Sequence, residues 1–318
     1  MKKIQKTRAV FIRTVISIIV VIMAAGCASA RKDAVRHNFQ GLAYFSQGMH
    51  IKAIDEYKMS MSLDPDYAEA HYNVGLVYAK QGERDEAIVE MEKAVSLNRD
   101  YIEAVINLGQ LYAGQGRYDK AASLLKRTIK RHSRSASLHF NLGLVYDKLD
   151  RNYEATAMFK LAMAFKPEFA PTHSSLGLIY KKQERFDEAI AAFEKSIGLD
   201  PTLPEPHKHL GDIYYDQGRY EEAIDERKKT VALEPDNGFY YNDLGNSYYR
   251  QGMYDDAVEA FMKAVDLEPD YTYAHNNLGT AYEKQGNYKE AIAEFDKAIE
   301  LDPDNEDFKK SMNRLLGQ

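Results

Sequence analysis

The sequence predicts an all-α chain, an α-solenoid of eight helix-turn-helix repeats closed by a C-terminal capping helix. Three observations predict it. Glycine recurs at 41, 75, 109, 143, 177, 211, 245 and 279, at one constant spacing and without insertion. Tyrosine stands three places after each of these glycines, from Tyr44 to Tyr282, and alanine twelve after, from Ala53 to Ala291. Proline follows 24 after the glycine in six of the eight units: Pro65, Pro167, Pro201, Pro235, Pro269 and Pro303. A strict period of this length marks supersecondary units that stack on one another.

The chain opens with a basic stretch, residues 1–14, that holds Lys2, Lys3, Lys6, Arg8 and Arg13. Val15–Ala25 (VISIIVVIMAA) then runs apolar except for Ser17. It is short of the ~20 apolar residues of a stable span and suits the apolar region of a signal peptide. A plain secretory signal or an uncleaved inner-membrane anchor fits this much equally well. Ala24-Ala25-Gly26-Cys27 follows directly. It resembles the lipobox of bacterial lipoproteins, with Ala24 where that family usually has leucine. The resemblance implies a signal peptide over 1–26, acyl chains on Cys27, a short tether over 27–33, and a bacterial envelope location. Two or three acyl chains make a firm anchor. Ala28 in place of aspartate implies the outer membrane, facing the periplasm. Cys27 is the only cysteine, so an internal disulfide is excluded, and it cannot make a zinc site by itself. An oxidising compartment fits the absence of other thiols.

Each repeat carries two amphipathic helices. In Thr172–Pro201, apolar residues fall at helical spacing: Leu176, Ile179 and Tyr180, then Ala189, Ile190, Phe193 and Ile197. Glycine in the first helix and alanine in the second lack bulk, so the backbones are expected to approach closely, with tyrosine in the wedge. The turn between them often reads Gln-Gly, as at Gln81-Gly82 and Gln217-Gly218; glycine there takes the left-handed conformation that ends a helix. Asp-Pro or Glu-Pro stops the second helix. The units run 34–67, 68–101, 102–135, 136–169, 170–203, 204–237, 238–271 and 272–305. Residues 306–318 form the cap, where Phe308, Met312 and Leu315 make one apolar stripe.

The 34-residue period with this glycine, tyrosine, alanine and proline pattern resembles the tetratricopeptide repeat (TPR). The resemblance implies a right-handed superhelix whose first helices line a concave groove that binds other proteins or peptides. The pattern breaks in places. Arg99 and Ser133 replace the closing proline in repeats two and three, and Asp150 and Glu184 replace the turn glycine in repeats four and five. Arg227 takes the place that Phe159, Phe193, Phe261 and Phe295 hold elsewhere. Either its stem reaches solvent or an acidic neighbour meets it. Repeats five and six are therefore expected to be the softer region.

Catalytic chemistry is not expected. The sequence has no glycine-flanked nucleophilic serine, phosphate loop or paired-histidine zinc helix. His37, His71, His139, His173, His207 and His275 sit four before the repeat glycine, so packing ~8–10 Å apart would keep them from sharing a metal. No cofactor and no metal are expected. Of the 42 lysines and arginines, five lie in the basic opening stretch, so the body of the chain sets fewer than 40 cations against 48 carboxylates. That is a poor balance for nucleic acid.

Candidate partner-binding residues lie near the repeat glycine. Asn73, Asn107, Asn141 and Asn277 stand two before it. The TPR resemblance implies that this column faces the groove. It is similar to the TPR portion of O-linked N-acetylglucosamine transferase, where such amides hold a peptide backbone. Leu76, Leu144 and Leu178 stand one after the glycine and suggest an apolar strip; Tyr215 and Tyr249 make the later half more aromatic. The two-carboxylate clamp of chaperone-binding TPRs is missing: only repeat six has the lysine, Lys208, and Asp212 follows its glycine. Repeat three holds seven basic and two acidic residues, whereas repeats six to eight are strongly acidic. The basic cluster is either a solvated face or a contact for anionic lipid, peptidoglycan or an acidic partner. The expected function is a non-catalytic, protein-binding scaffold tethered to the membrane through a lipid anchor. The alternative is an accessory TPR component of a glycosyltransferase or of a pilus or secretion assembly system. Composition leaves the oligomeric state open.

Overall fold

A computed structural model describes residues 29–317. Cys27, the expected signal peptide and Gln318 lie outside the described residues. Seventeen helices and no strand are present among those described. No described helix is long and apolar enough to cross a membrane.

The chain divides into two compact units, 1–165 and 166–318. The first holds α1 (29–46), α2 (His50–Leu63), α3 (Ala68–Gln81), α4 (Arg84–Leu97), α5 (Ile102–Gly114), α6 (Tyr118–Ile129), α7 (Ala136–Lys148) and α8 (Asn152–Phe165). The second holds α9 (Ala170–Lys182), α10 (Phe186–Leu199), α11 (Pro204–Asp216), α12 (Tyr220–Leu233), α13 (Gly238–Gln251), α14 (Tyr254–Leu267), α15 (Thr272–Gln285), α16 (Tyr288–Leu301) and α17 (Glu306–Leu316). Each unit is four hairpins in chain order, each packed on the next. The second unit ends on α17, whose Phe308, Met312 and Leu315 are buried against the last hairpin, as expected of a cap. The expected tether needs correction, because residues 29–33 are already part of α1. Helix propensity across Ala30, Arg31 and Lys32 extends the first helix toward the N-terminus.

One hydrogen bond repeats in every turn. The carbonyl of the repeat tyrosine accepts from the backbone N–H five places on, from Met49 N to Tyr44 O at 2.9 Å through Asn287 N to Tyr282 O at 2.9 Å. This closure needs a left-handed residue one place earlier. Glycine supplies it in six turns; Asp150 (φ 55°) and Glu184 (φ 57°) supply it in repeats four and five. After α4, where Arg99 replaces the closing proline, the helix still ends at Asn98, whose Oδ1 accepts from Asp100 N at 3.1 Å as Asp64 and Asp200 accept from Asp66 N and Thr202 N in repeats that keep the proline. Ser135 caps α7 in a similar way, its hydroxyl accepting from Leu138 N.

The eight alanines twelve after the glycine are all fully buried. The role expected of the tyrosines needs correction. A Cβ at Gly143 would lie 2.5 Å from the Phe159 ring, at Gly177 2.8 Å from Phe193, and at Gly245 2.6 Å from Phe261. The glycine notch thus receives the side chain sixteen places later. The tyrosines lie beside it, buried in repeats three to seven and half-buried at Tyr44, Tyr78 and Tyr282. In repeats three to six an arginine closes over the ring, with Arg117, Arg151, Arg185 and Arg219 at 4.6, 4.6, 4.3 and 4.2 Å from the centroids. The flat guanidinium covers the face that the core leaves open.

Candidate partner-binding site

In the first unit, the expected asparagine column lies along α3, α5 and α7, but most of its amides are already engaged. Asn73 is buried and donates to Asn38 Oδ1 at 2.8 Å. Asn141 is buried, accepts from Gln110 Nε2 at 3.0 Å, and donates to Ser137 O. Both amides join neighbouring first helices. A buried amide must be satisfied, and the adjacent helix is the nearest source of partners. Asn107 is half-buried; its Nδ2 donates to Tyr72 Oη at 3.0 Å and to Glu103 O. It lines an open pocket of about 210 Å³ together with Leu76, Leu111 and Gln110. An expected apolar anchor and an expected amide therefore meet in one pocket. Leu144 is half-buried on α7.

In the second unit, Asn277 donates to Asn242 Oδ1 at 2.9 Å, and Asn242 in turn to Tyr271 Oη. Leu178 is half-buried on α9. Tyr215 is half-buried, with Arg227 over its ring at 4.7 Å and Tyr220 against its edge. Tyr249 packs half-buried against the Phe261 cluster and Tyr254.

Arg227 resolves the choice left open by the sequence in favour of neighbours. It is buried, donating from Nη1 to Asp243 O at 2.5 Å and Ser247 Oγ at 2.8 Å, with Nη2 3.5 Å from Asp212 Oδ1. Asp212 also receives Lys181 at 3.0 Å and Lys208 at 3.1 Å, with His209 Nδ1 3.7 Å away. Burial opposes its charge, yet His209, Lys181 and Lys208 hold its carboxyl far below the usual range. Burial pushes the Asp243 carboxyl up, against the pull of Arg227. Lys208 is thus neutralised within the chain.

The histidine column carries a regularity of its own. His37, His71 and His207 place Nδ1 2.6 Å from Glu56, Glu90 and Glu226, and His275 places it 2.7 Å from Glu294. The sequence separation is the same in every pair, and each pair joins the two helices of one hairpin. His71, His173 and His275 also reach the carbonyls of Pro65, Pro167 and Pro269 through Nε2. The sequence held the signal for these pairs, as a glutamate at a fixed distance after the histidine in four repeats. No group of three metal-ligating side chains occurs among the described residues.

Four sequence models match. Those described as tetratricopeptide repeat cover 242–306, 78–142 and 136–169, and one described as TPR repeat covers 41–82, 177–218 and 211–252. Together they span 41–169 and 177–306. No curated protein sequence matches the chain significantly. Among solved structures, YrrB, described as a TPR protein with an unusual peptide-binding site, is 21% identical with a TM-score of 0.55 and covers 60% of this chain and 99% of its own. MamA is 27% identical with a TM-score of 0.50, covering 53% and 92%. A tetratricopeptide repeat protein from Parabacteroides merdae is 16% identical with a TM-score of 0.53, covering 78% and 98%.

Proposed function

Since this chain is a tetratricopeptide-repeat protein, we propose that it is a non-catalytic scaffold that binds a segment of a partner protein on the first-helix face of its hairpins. The observation that carries the reading is the pocket where Asn107 and Leu76 meet. An amide beside leucines suits an extended or helical segment with one apolar anchor, because Asn107 Oδ1 can accept from a main-chain N–H while its Nδ2 is held by Tyr72 and Glu103. YrrB, by its own description, also binds peptide. The tether is the second part of the proposal: Cys27 carries acyl chains and holds the scaffold at the bacterial envelope, at the outer membrane and facing the periplasm.

Each part has its own test. Crosslinking in envelope extract, followed by comparison of the wild type with Asn107→Ala and Leu76→Ser, should show loss of the same partner bands in both variants. Unchanged bands would remove the first-helix site. Asn73 and Asn141 are poorer choices for this test because both are buried, whereas Asn107 is half-buried and lines the open pocket. Mass spectrometry of the mature N-terminus should find acylated Cys27; an uncleaved, unmodified terminus would end the lipoprotein reading.

A further inference from the structure

The second-helix side of the first unit carries a cleft that plays no part in the Asn107 pocket. It measures about 530 Å³ and lies between α4 and α6, with Leu108 and Tyr112 of α5 as its floor. Arg99, Lys120, Arg127 and Arg131 line its rim. The one carboxylate among its lining residues, Glu92, accepts the Tyr112 hydroxyl.

This rim is cationic because a pairing rule fails here. In the next three repeats the arginine over the tyrosine pairs with a glutamate three places on: Arg151 with Glu154 at 2.6 Å, Arg185 with Glu188 at 2.6 Å, and Arg219 with Glu222 at 2.5 Å. In repeat three that spacing places Lys120 after Arg117, so the turn keeps both positive charges. Arg99 stands where most repeats have the closing proline. Arg99, Lys120 and Arg127 are exposed and form no ion pair with a carboxylate of the described residues. The rim already shows what it holds: Asp100 Oδ1 receives Arg131 Nε at 2.8 Å and His132 Nε2 at 2.9 Å.

We propose that this cleft docks an acidic, amphipathic segment of a partner protein, whose carboxylates meet Arg99, Lys120 and Arg127 while an apolar side chain rests on Leu108 and Tyr112. Guanidinium forks match carboxylates in two-pronged geometry. Single exposed ion pairs contribute little, so the apolar floor is what turns a charged rim into a site. Binding through this rim steepens the dependence on salt. The chain then has two docking faces, one reading main chain and one reading charge.

The test uses the full chain and fluorescence anisotropy. The probe is a labelled synthetic helix with glutamates one turn apart flanking a leucine, alongside its glutamine twin. Wild type should bind the glutamate helix at least about tenfold more tightly than the twin. The Arg99→Ser/Arg127→Ser double variant should lose about tenfold or more. Lys120→Glu, which restores the pairing of the next three repeats and takes the ammonium from over the Tyr112 ring, should also weaken binding. Asn107→Ala should leave it unchanged, so failure here is separable from failure of the first-helix site. All three substituted cations are exposed, and thermal melts check that the variants fold. Equal affinity for the two helices, or wild-type affinity in both cation variants, would overturn the proposal. So would co-sedimentation with phosphatidylglycerol vesicles when the peptide fails to bind, or cation variants that alter only self-association of the chain.

Discussion

At the scale of single residues, a charge inside the second unit is tolerated because its hydrogen bonds are prepared. Arg227 fills the notch of Gly211, whose absent Cβ would sit 2.9 Å from the arginine Cγ. Other repeats put phenylalanine there, so Arg227→Phe refills the notch but removes the cation facing Asp212 and Asp243, and should destabilise less than Arg227→Ala. Arg227→Ala should cost about 3–5 kcal/mol, since it empties the Gly211 notch and strips the bonds to Asp243 O and Ser247 Oγ. Chemical denaturation of the two variants separates these outcomes. His275 gives a second prediction. The bond to Glu294 raises its pKa against the opposing effect of burial. A raised folded-state value means stability that is complete below the ordinary histidine range and lost as pH rises through the folded value. Glu294→Gln should therefore lower the melting temperature more at pH 6 than at pH 9, and NMR titration should show the His275 value falling. The glycine–alanine–tyrosine frame around these residues was legible in the sequence, because each has a fixed spacing. The partners of Arg227 were not, since they come from two neighbouring helices and no repeat-wide spacing announces them.

At the scale of the element, the recurrent glycines are not equivalent. A Cβ at Gly143 collides with the Phe159 ring, but one at Gly109 meets Leu125 at 3.6 Å, an ordinary contact. Gly143→Ala should cost about 1–3 kcal/mol through overpacking. Gly109→Ala should be neutral or stabilise by up to about 1 kcal/mol, because alanine is the better helix former and nothing needs to move. Urea titrations of both variants check this, and equal losses would show that glycine serves the backbone rather than the side chain at plus sixteen. The position of every hairpin followed from the period alone. What each glycine makes room for depended on whether its partner is an aromatic ring, Met91, Leu125 or Arg227, and so on the packing of the second helix.

At the scale of the whole molecule, stacked hairpins share stability with their neighbours, so local weaknesses show as local opening. Repeats five and six combine a glutamate held at φ 57° with a buried guanidinium whose Nε has no hydrogen-bond partner. Native-state hydrogen exchange should find amides of α10 to α12 less protected than those of α14 to α16. Uniform protection across 170–301 would contradict it.

The sequence alone determined the number of hairpins, their turns and the cap, because a 34-residue period imposes the same local geometry eight times over. It also singled out Asn107 and Leu76, each by its spacing from a repeat glycine; that they line one pocket came from the structure. Only the tertiary structure decided which polar side chains remain available to a partner. Asn73, Asn141 and Tyr215 look like groove residues by spacing and are engaged by adjacent helices. Arg99 and Lys120 look like breaks in the pattern, yet they line one cleft. Spacing along a chain sets which face a residue occupies; whether that residue is already satisfied depends on the neighbours that packing brings to it.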